Sequence, residues 1–303
     1  RTLPFFLLIG SGWAAGRLGA FPAEAVAWLT KFVFYFALSA MLFRFAATLD
    51  VASLFDPGFV MAYLSGSAAV WLIAFAVARH RRQPLAEAAM EAHTSMTGNT
   101  GFLGVPMLAL LLGQRAIGPV LMVLAIDMVV FSTLITLIVI AARQGRITPA
   151  RLWPLIRGIA GNPMIASMLA GLCWSWAHLP MPRPLDEFLA LLGAAATPGA
   201  LFAIGASLAS RSAGRPRPAI WLSFAKLVLH PLAVGVAALW VFDVRPQAAG
   251  VMIAAAALPV ASNVYILAQY FGVAVQRVST AILISTLFAI VSIPAVILLI
   301  GQG

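Results

Sequence analysis

Charge is what this chain of 303 residues has least of: only 9% of it is Asp, Glu, Lys or Arg, and 62% is hydrophobic. A soluble chain carries about 25% charged residues. A water-filled surface is therefore excluded, and the sequence is that of an integral membrane protein. Cysteine is nearly absent as well. Cys173 stands alone, so no internal disulfide forms. No segment alternates polar and apolar residues at the strand period, which argues against an outer-membrane barrel. Enzyme signatures are missing too. There is no His-Glu-x-x-His, no phosphate-binding glycine loop and no cysteine cluster. Glu91 and His93 lack metal-ligand spacing, and Ser95 and His93 do not share a helix face. No enzyme, metal or cofactor is expected. The sequence opens at Arg1-Thr2 rather than at a methionine, which reads as a trimmed start, and no separate signal peptide is expected.

What is present is a series of long apolar runs. A membrane helix needs about 20 apolar residues. Ten segments qualify, at roughly 1–17, 23–46, 58–79, 85–112, 116–142, 158–178, 186–210, 217–242, 246–271 and 275–301. Prolines at 22, 57, 84, 216 and 246 stand at or near segment starts, where the missing amide costs least. The net charge of +10 is not a nucleic-acid signal, because the arginines lie in short loops. Counting those loops alternately gives twelve arginines on one side: 17, 79, 81, 82, 143, 146, 151, 157, 211, 215, 217 and 277. The other side has five, Arg1, Arg44, Arg115, Arg183 and Arg245. The richer side is expected to be cytoplasmic, which puts both termini outside.

Two segments contain what a membrane helix avoids. The fourth carries Thr97-Gly98-Asn99-Thr100-Gly101-Phe102-Leu103-Gly104-Val105-Pro106, with three glycines in seven residues and a proline. The ninth carries Leu258-Pro259-Val260-Ala261-Ser262-Asn263-Val264-Tyr265. Unwound backbone is tolerated at membrane depth only inside protein or along a wet cavity. Pro106 and Pro259 are read as the helix breaks. Two broken spans in corresponding positions point to the binding site of a secondary transporter. The bland alternative is that each proline merely kinks a helix.

Correspondence is visible in the residues. Pro4, Ser39, Leu42, Phe43 and Pro57 recur as Pro163, Pro198, Leu201, Phe202 and Pro216, at an offset of 159. Pro84, Gln114 and Arg115 recur as Pro246, Gln276 and Arg277, at an offset of 162. Each half holds five segments. An odd number makes the second half enter from the opposite face, so the expected fold is all-α, ten transmembrane helices in a 5+5 inverted repeat. Its broken fourth and ninth helices would cross in the bilayer interior.

At such breaks half-helix amides offer partial positive charge. Asn99 and Asn263 add amide donors and acceptors, and Thr97, Thr100 and Ser262 add hydroxyls. With Gly98 and Tyr265 this suits a small carboxylate, while loose carbonyls could hold a cation. Each asparagine has a plainer reading as a satisfied cap. Gln269 follows Asn263 at helical spacing and reads either as cavity lining or as interhelical glue. Ionisable groups at membrane depth are functional candidates: Asp127, Glu91, Lys226 and His93, with His230 a weaker one. Asp127 has two readings. Paired with Lys226 it stays ionised and structural; unpaired, it carries a proton. His93 reads more simply as a packing histidine. Gly12-x-x-x-Gly16 reads as internal helix packing.

The run Gly98-Asn-Thr-Gly-Phe-Leu-Gly-Val-Pro106 resembles the auxin efflux carrier family in its bacterial branch. Leu258 to Tyr265, Ala268-Gln-Tyr-Phe-Gly272 and Lys226-Leu-Val-Leu-His-Pro231 resemble that family as well. One departure is Ser39, where related sequences usually carry proline; Pro198 keeps the feature in the other half. The resemblance implies a secondary carrier of organic anions, malate- or malonate-like or auxin-like. It implies a fold similar to sodium/proton antiporters and bile-acid symporters, in a bacterial inner membrane. An elevator motion and a scaffold-mediated homodimer are also implied. So are coupling to H+ or Na+, or uniport, and a division into scaffold 1–56 and 158–214, transport 57–143 and 215–303, and a cytoplasmic connector 144–157. The rivals are a receptor that binds without transport and a passive anion channel.

Overall fold

The computed structural model describes residues 3–49, 56–144, 161–209 and 216–300. Residues 145–157 of the expected connector, Asp50, Arg1, Arg211 and Arg215 lie outside them. The described residues are helical throughout, with one isolated antiparallel bridge and no strand. In chain order the elements are α1 (Leu3–Arg17), α2 (Ala23–Ala47), α3 (Pro57–His80), α4 (Leu85–Met96), α5 (Thr100–Leu112) and α6 (Gln114–Ala142). There follow α7 (Pro163–Trp176), α8 (Arg183–Ala209), α9 (Pro216–Val241), α10 (Pro246–Ala256), α11 (Ser262–Phe271) and α12 (Val275–Ile300).

Six of these, α2, α3, α6, α8, α9 and α12, are long and apolar enough to cross a membrane. The protein is a multi-pass membrane protein. The fourth and ninth apolar segments of the sequence fall short as single helices because each is split, into α4 and α5 and into α10 and α11. Pro84 caps α4, and Pro57, Pro163, Pro216 and Pro246 are first residues of their helices, where proline's fixed φ fits.

Contacts divide the chain into two compact units. The first comprises 1–56, 101–118 and 156–210; the second comprises 57–100, 119–155 and 211–303. The sequence expectation groups 101–118 with the third to fifth helices, whereas these residues make their contacts within the first unit. One such contact is the stack of Phe102 on Phe34, with ring centroids 6.0 Å apart.

The first unit is built by close backbone approach. α1 lies against α8, and α7 against α2. Gly12 sits on the backbone of Phe202, and Gly171 sits on the backbone of Phe43. Gly16 meets Ala206 and Ala209, so the Gly12-x-x-x-Gly16 pair packs inside the chain. α2 passes through a π turn at Val33–Ala37 without a proline, and the Ser39 hydroxyl donates to the Phe34 carbonyl of that turn at 3.1 Å.

In the second unit two π turns carry Asp127 and Lys226. Asp127 opens one, Asp127–Phe131, and the Ser132 hydroxyl donates to the Asp127 carbonyl at 3.0 Å. Lys226 lies in the other, Ala225–Leu229, just before Pro231, whose missing amide disturbs the helical ladder. Insertions of this kind in α-helices are frequent at functional positions.

Candidate functional site

The two interruptions meet. α4 stops at Met96 and α10 at Ala256, and the unwound strands between the half-helices pair as an antiparallel bridge, Gly98 to Val260. The Asn99 amide donates to the Pro259 carbonyl at 2.9 Å, and the Ala261 amide donates to the Thr97 carbonyl at 3.1 Å. Each break thus satisfies the other's backbone. Left open in hydrocarbon, every such group would cost several kcal/mol, roughly the desolvation of an unpaired amide. α12 holds the second break from behind, with the Val260 amide donating to Ser285 Oγ at 3.1 Å. Pro259 belongs to the interruption itself. Pro106 does not: the unwinding falls at Thr97 to Asn99, and Pro106 stands at the start of the α-helical part of α5, where it costs no hydrogen bond.

Around the bridge Thr97, Asn99 and Thr100 are buried, while Ser262 and Asn263 open α11 and are half-buried. Asn263 Nδ2 approaches Met128 Sδ at 3.8 Å, and its Oδ1 is buried with no hydrogen-bond partner among the described residues. Tyr265 is half-buried, its hydroxyl accepting from Gln269 Nε2 at 3.0 Å.

Lys226 is fully buried and lies against the bridge. Its ammonium donates to the carbonyl of Ala256, the last residue of α10, so a cation sits at the negative end of that helix dipole. It also explains Gly98. A Cβ on Gly98 would lie 3.2 Å from the Ala255 carbonyl oxygen and 3.3 Å from Lys226 Nζ, tighter than nine in ten Cβ contacts. A larger residue there would push the cation or the Ala255 carbonyl away by a few tenths of an ångström. Lys226 Nζ is also 3.1 Å from His230 Nδ1.

Asp127 is buried on α6. Oδ1 accepts from the Tyr63 hydroxyl at 2.9 Å, and Oδ2 has no partner among the described residues. No ion pair joins it to Lys226 among those residues, although each feels the other's charge. Glu91 sits in a different setting. It pairs with Arg81 and, at 2.8 Å, with Arg277, which also binds Glu87 and donates to Gln83 Oε1 at 2.6 Å. His93 is buried beside Thr97 Oγ1, 3.2 Å from Nδ1. Tyr63, Ser67 and Ser285 are polar members of this region that the sequence reading passes over. The spacing of Tyr63 and Ser67, four residues apart in an apolar helix, is the signal that places both on one face.

With paired interruptions, buried charges beside them and six spanning-length helices on the page, the class is that of a membrane transport protein. A family model described as "Membrane transport protein" matches residues 1–297. The chain belongs to that family, which includes the auxin efflux carriers. It is similar to a protein of Rhizobium meliloti (strain 1021) named "Putative malonate transporter", with 33% identity over 305 residues, covering 100% of this chain and 95% of that one.

Proposed function

We propose that this protein is a secondary transporter of small organic carboxylates, malonate-like dicarboxylates first among them. The observation that carries the reading is the bridge between the two interruptions. It holds Asn99 and Asn263, the peptide groups of Thr97 to Thr100 and the start of α11 in one buried region, with the Lys226 ammonium beside it. Gly98, Thr100 and Ser262 complete the substrate contacts, with Tyr265 at the edge. A carboxylate would accept from asparagine amides and half-helix amides and be held by a cation already in place, which avoids desolvating a new one. The relative's name points to the same substrate class.

The wider architecture belongs to the same proposal: ten transmembrane helices in a 5+5 inverted repeat, termini outside, in a bacterial inner membrane, cycling as an elevator and assembled as a homodimer. Two observations support the repeat. Gly12 lies on Phe202 and Gly171 on Phe43, and both Gly12/Gly171 and Phe43/Phe202 are partners at the offset of 159. The bridge pairs Gly98 with Val260, at the offset of 162 that relates Pro84 to Pro246. Asp127 and Lys226 set the ion coupling. Glu91, held by two arginines, has the weaker claim, and His93 lies one turn below the bridge on α4.

The test is uptake of labelled malonate and a panel of related acids into proteoliposomes of the purified chain. Saturable uptake with counterflow supports the reading. Binding without flux under any gradient would make the protein a receptor, and flux that neither saturates nor shows counterflow would make it a channel.

A further inference from the structure

A cavity in the first unit shares no residue with the proposed substrate contacts. It measures about 240 Å³ and opens where α2 and α5 end and α6 and α8 begin. Every residue lining it belongs to that unit, and neither residue of the bridge is among them. Pro106, which the interruption does not use, forms part of its wall. Loose packing does not explain the space. α2 and α8 touch beside it, and a Cβ on Gly193 would lie 3.2 Å from Met41 Cα.

The lining is apolar with one charge. Ten of the thirteen lining residues have no polar side chain; the others are Arg44, Gln114 and Thr197. Met41, Ile117 and Leu189 are buried along it, and Leu110 and Gln114 stand exposed at its rim. Among the described residues no acidic side chain lines it. Arg44 is held by Asp186, which is not part of the lining. Nε donates to Oδ1 at 2.6 Å and Nη2 to Oδ2 at 3.2 Å. A guanidinium has five N–H donors. Asp186 takes two, and the rest have no partner among the described residues. The fork is therefore oriented by one carboxylate and open to a second, and paired N–H donors of this kind suit arginine to acid recognition.

We propose that this cavity is a second anion site, separate from the bridge, for a small monocarboxylate with an apolar body. The acid group takes the free donors of Arg44, with Gln114 and Thr197 as further polar contacts. The body lies against Met41, Ile117 and Leu189. Size sets the class, since 240 Å³ is the liquid volume of about eight water molecules, and a ligand of about that many non-hydrogen atoms fills it. Charge sets it as well. Malonate would bring two charges and little apolar surface to one guanidinium that Asp186 already engages. An amine would meet the arginine with like charge. The occupant touches α2, α5, α6 and α8 together, and so braces α5, the half-helix that follows the first interruption.

The experiment is equilibrium binding of labelled hexanoate to the full chain in phosphatidylcholine nanodiscs, with protein-free discs subtracted. Saturable binding is expected, displaced by unlabelled hexanoate but by neither hexylamine nor malonate. Arg44→Gln and Asp186→Asn remove the same ion pair, yet they are expected to act in opposite directions. Arg44→Gln loses the donors and weakens hexanoate by at least about tenfold. Asp186→Asn frees the fork and tightens hexanoate severalfold. A pair with a purely structural role would make the two variants act alike. Ala109→Phe places a ring in the cavity and is expected to abolish binding with the melting temperature kept. Absence of saturable binding overturns the proposal, as does full binding in Ala109→Phe. Equal displacement by malonate or hexylamine also overturns it, and so does loss of affinity in both Arg44→Gln and Asp186→Asn. Displacement by dihexanoyl phosphatidylglycerol at lower concentration than by hexanoate would assign the cavity to an anionic lipid and overturn the free acid as its occupant. These outcomes stand whether or not malonate is transported.

Discussion

The two units bury different things. Of the eighteen polar side chains buried among the described residues, only Ser39 belongs to the first unit, and Glu91, His93, Asp127, Lys226 and His230 all belong to the second. The first unit is held by glycines that let helix backbones touch, which is the usual cement where lipid removes the hydrophobic difference between inside and outside. The second keeps ionisable groups at membrane depth, where an isolated one costs about 2.5–3.5 kcal/mol on insertion scales. Evolution removes such residues unless they work or are paired. The contrast continues inside the second unit. Glu91 faces arginines with both oxygens. Asp127 has one oxygen on a phenol and, among the described residues, no partner for the other.

The sharpest way to break this contrast is Arg277→Ala, which strips Glu91 of one partner and leaves a buried carboxylate undercompensated. Breaking a buried pair costs about 3–5 kcal/mol, so a large drop in the melting temperature of the solubilised protein is expected. Glu91→Gln in the same chain should recover part of it; no drop in the single variant would show the cluster to be solvated. In the first unit, Gly171→Val forces a side chain into the Phe43 backbone. Overpacking of that kind costs about 1–3 kcal/mol, read by the same melt. Gly10→Ala, where a Cβ meets nothing within 4 Å, should leave the melt unchanged. Gly98→Ala crowds Lys226 Nζ and should separate function from folding. Malonate affinity is expected to fall about tenfold, some 1.4 kcal/mol, with little change in melting. Tyr265→Phe should lower the melt only slightly, since the partly exposed hydrogen bond to Gln269 is worth about 0.5–1.5 kcal/mol.

Much of this was legible in the residues. Three glycines and a proline in the fourth segment announced unwinding, and Pro259 announced it in the ninth. Which residues unwind was less legible, because proline marks a helix start as readily as a break, and Pro106 is the former. The partners of the buried ionisable groups were not legible either. Arg81 lies in the turn just before the helix of Glu91, but Arg277 is far away in sequence, and only tertiary packing brings it to them. Tyr63 and Ser67 escaped notice because single hydroxyls in an apolar helix carry no charge to flag them. Residues 101–118 follow the first unit because Phe102 stacks on Phe34, a contact that no local pattern encodes.

Equilibrium binding and uptake of labelled malonate by the Asn99→Ala, Asn263→Ala double variant, beside the wild type, test the anion site most directly. Each lost amide contact to a charged ligand is worth about 1.5–3 kcal/mol, so affinity should fall by at least about 100-fold with the melting temperature preserved. Unchanged malonate affinity in a folded double variant would place the substrate elsewhere and contradict the reading of the paired interruptions.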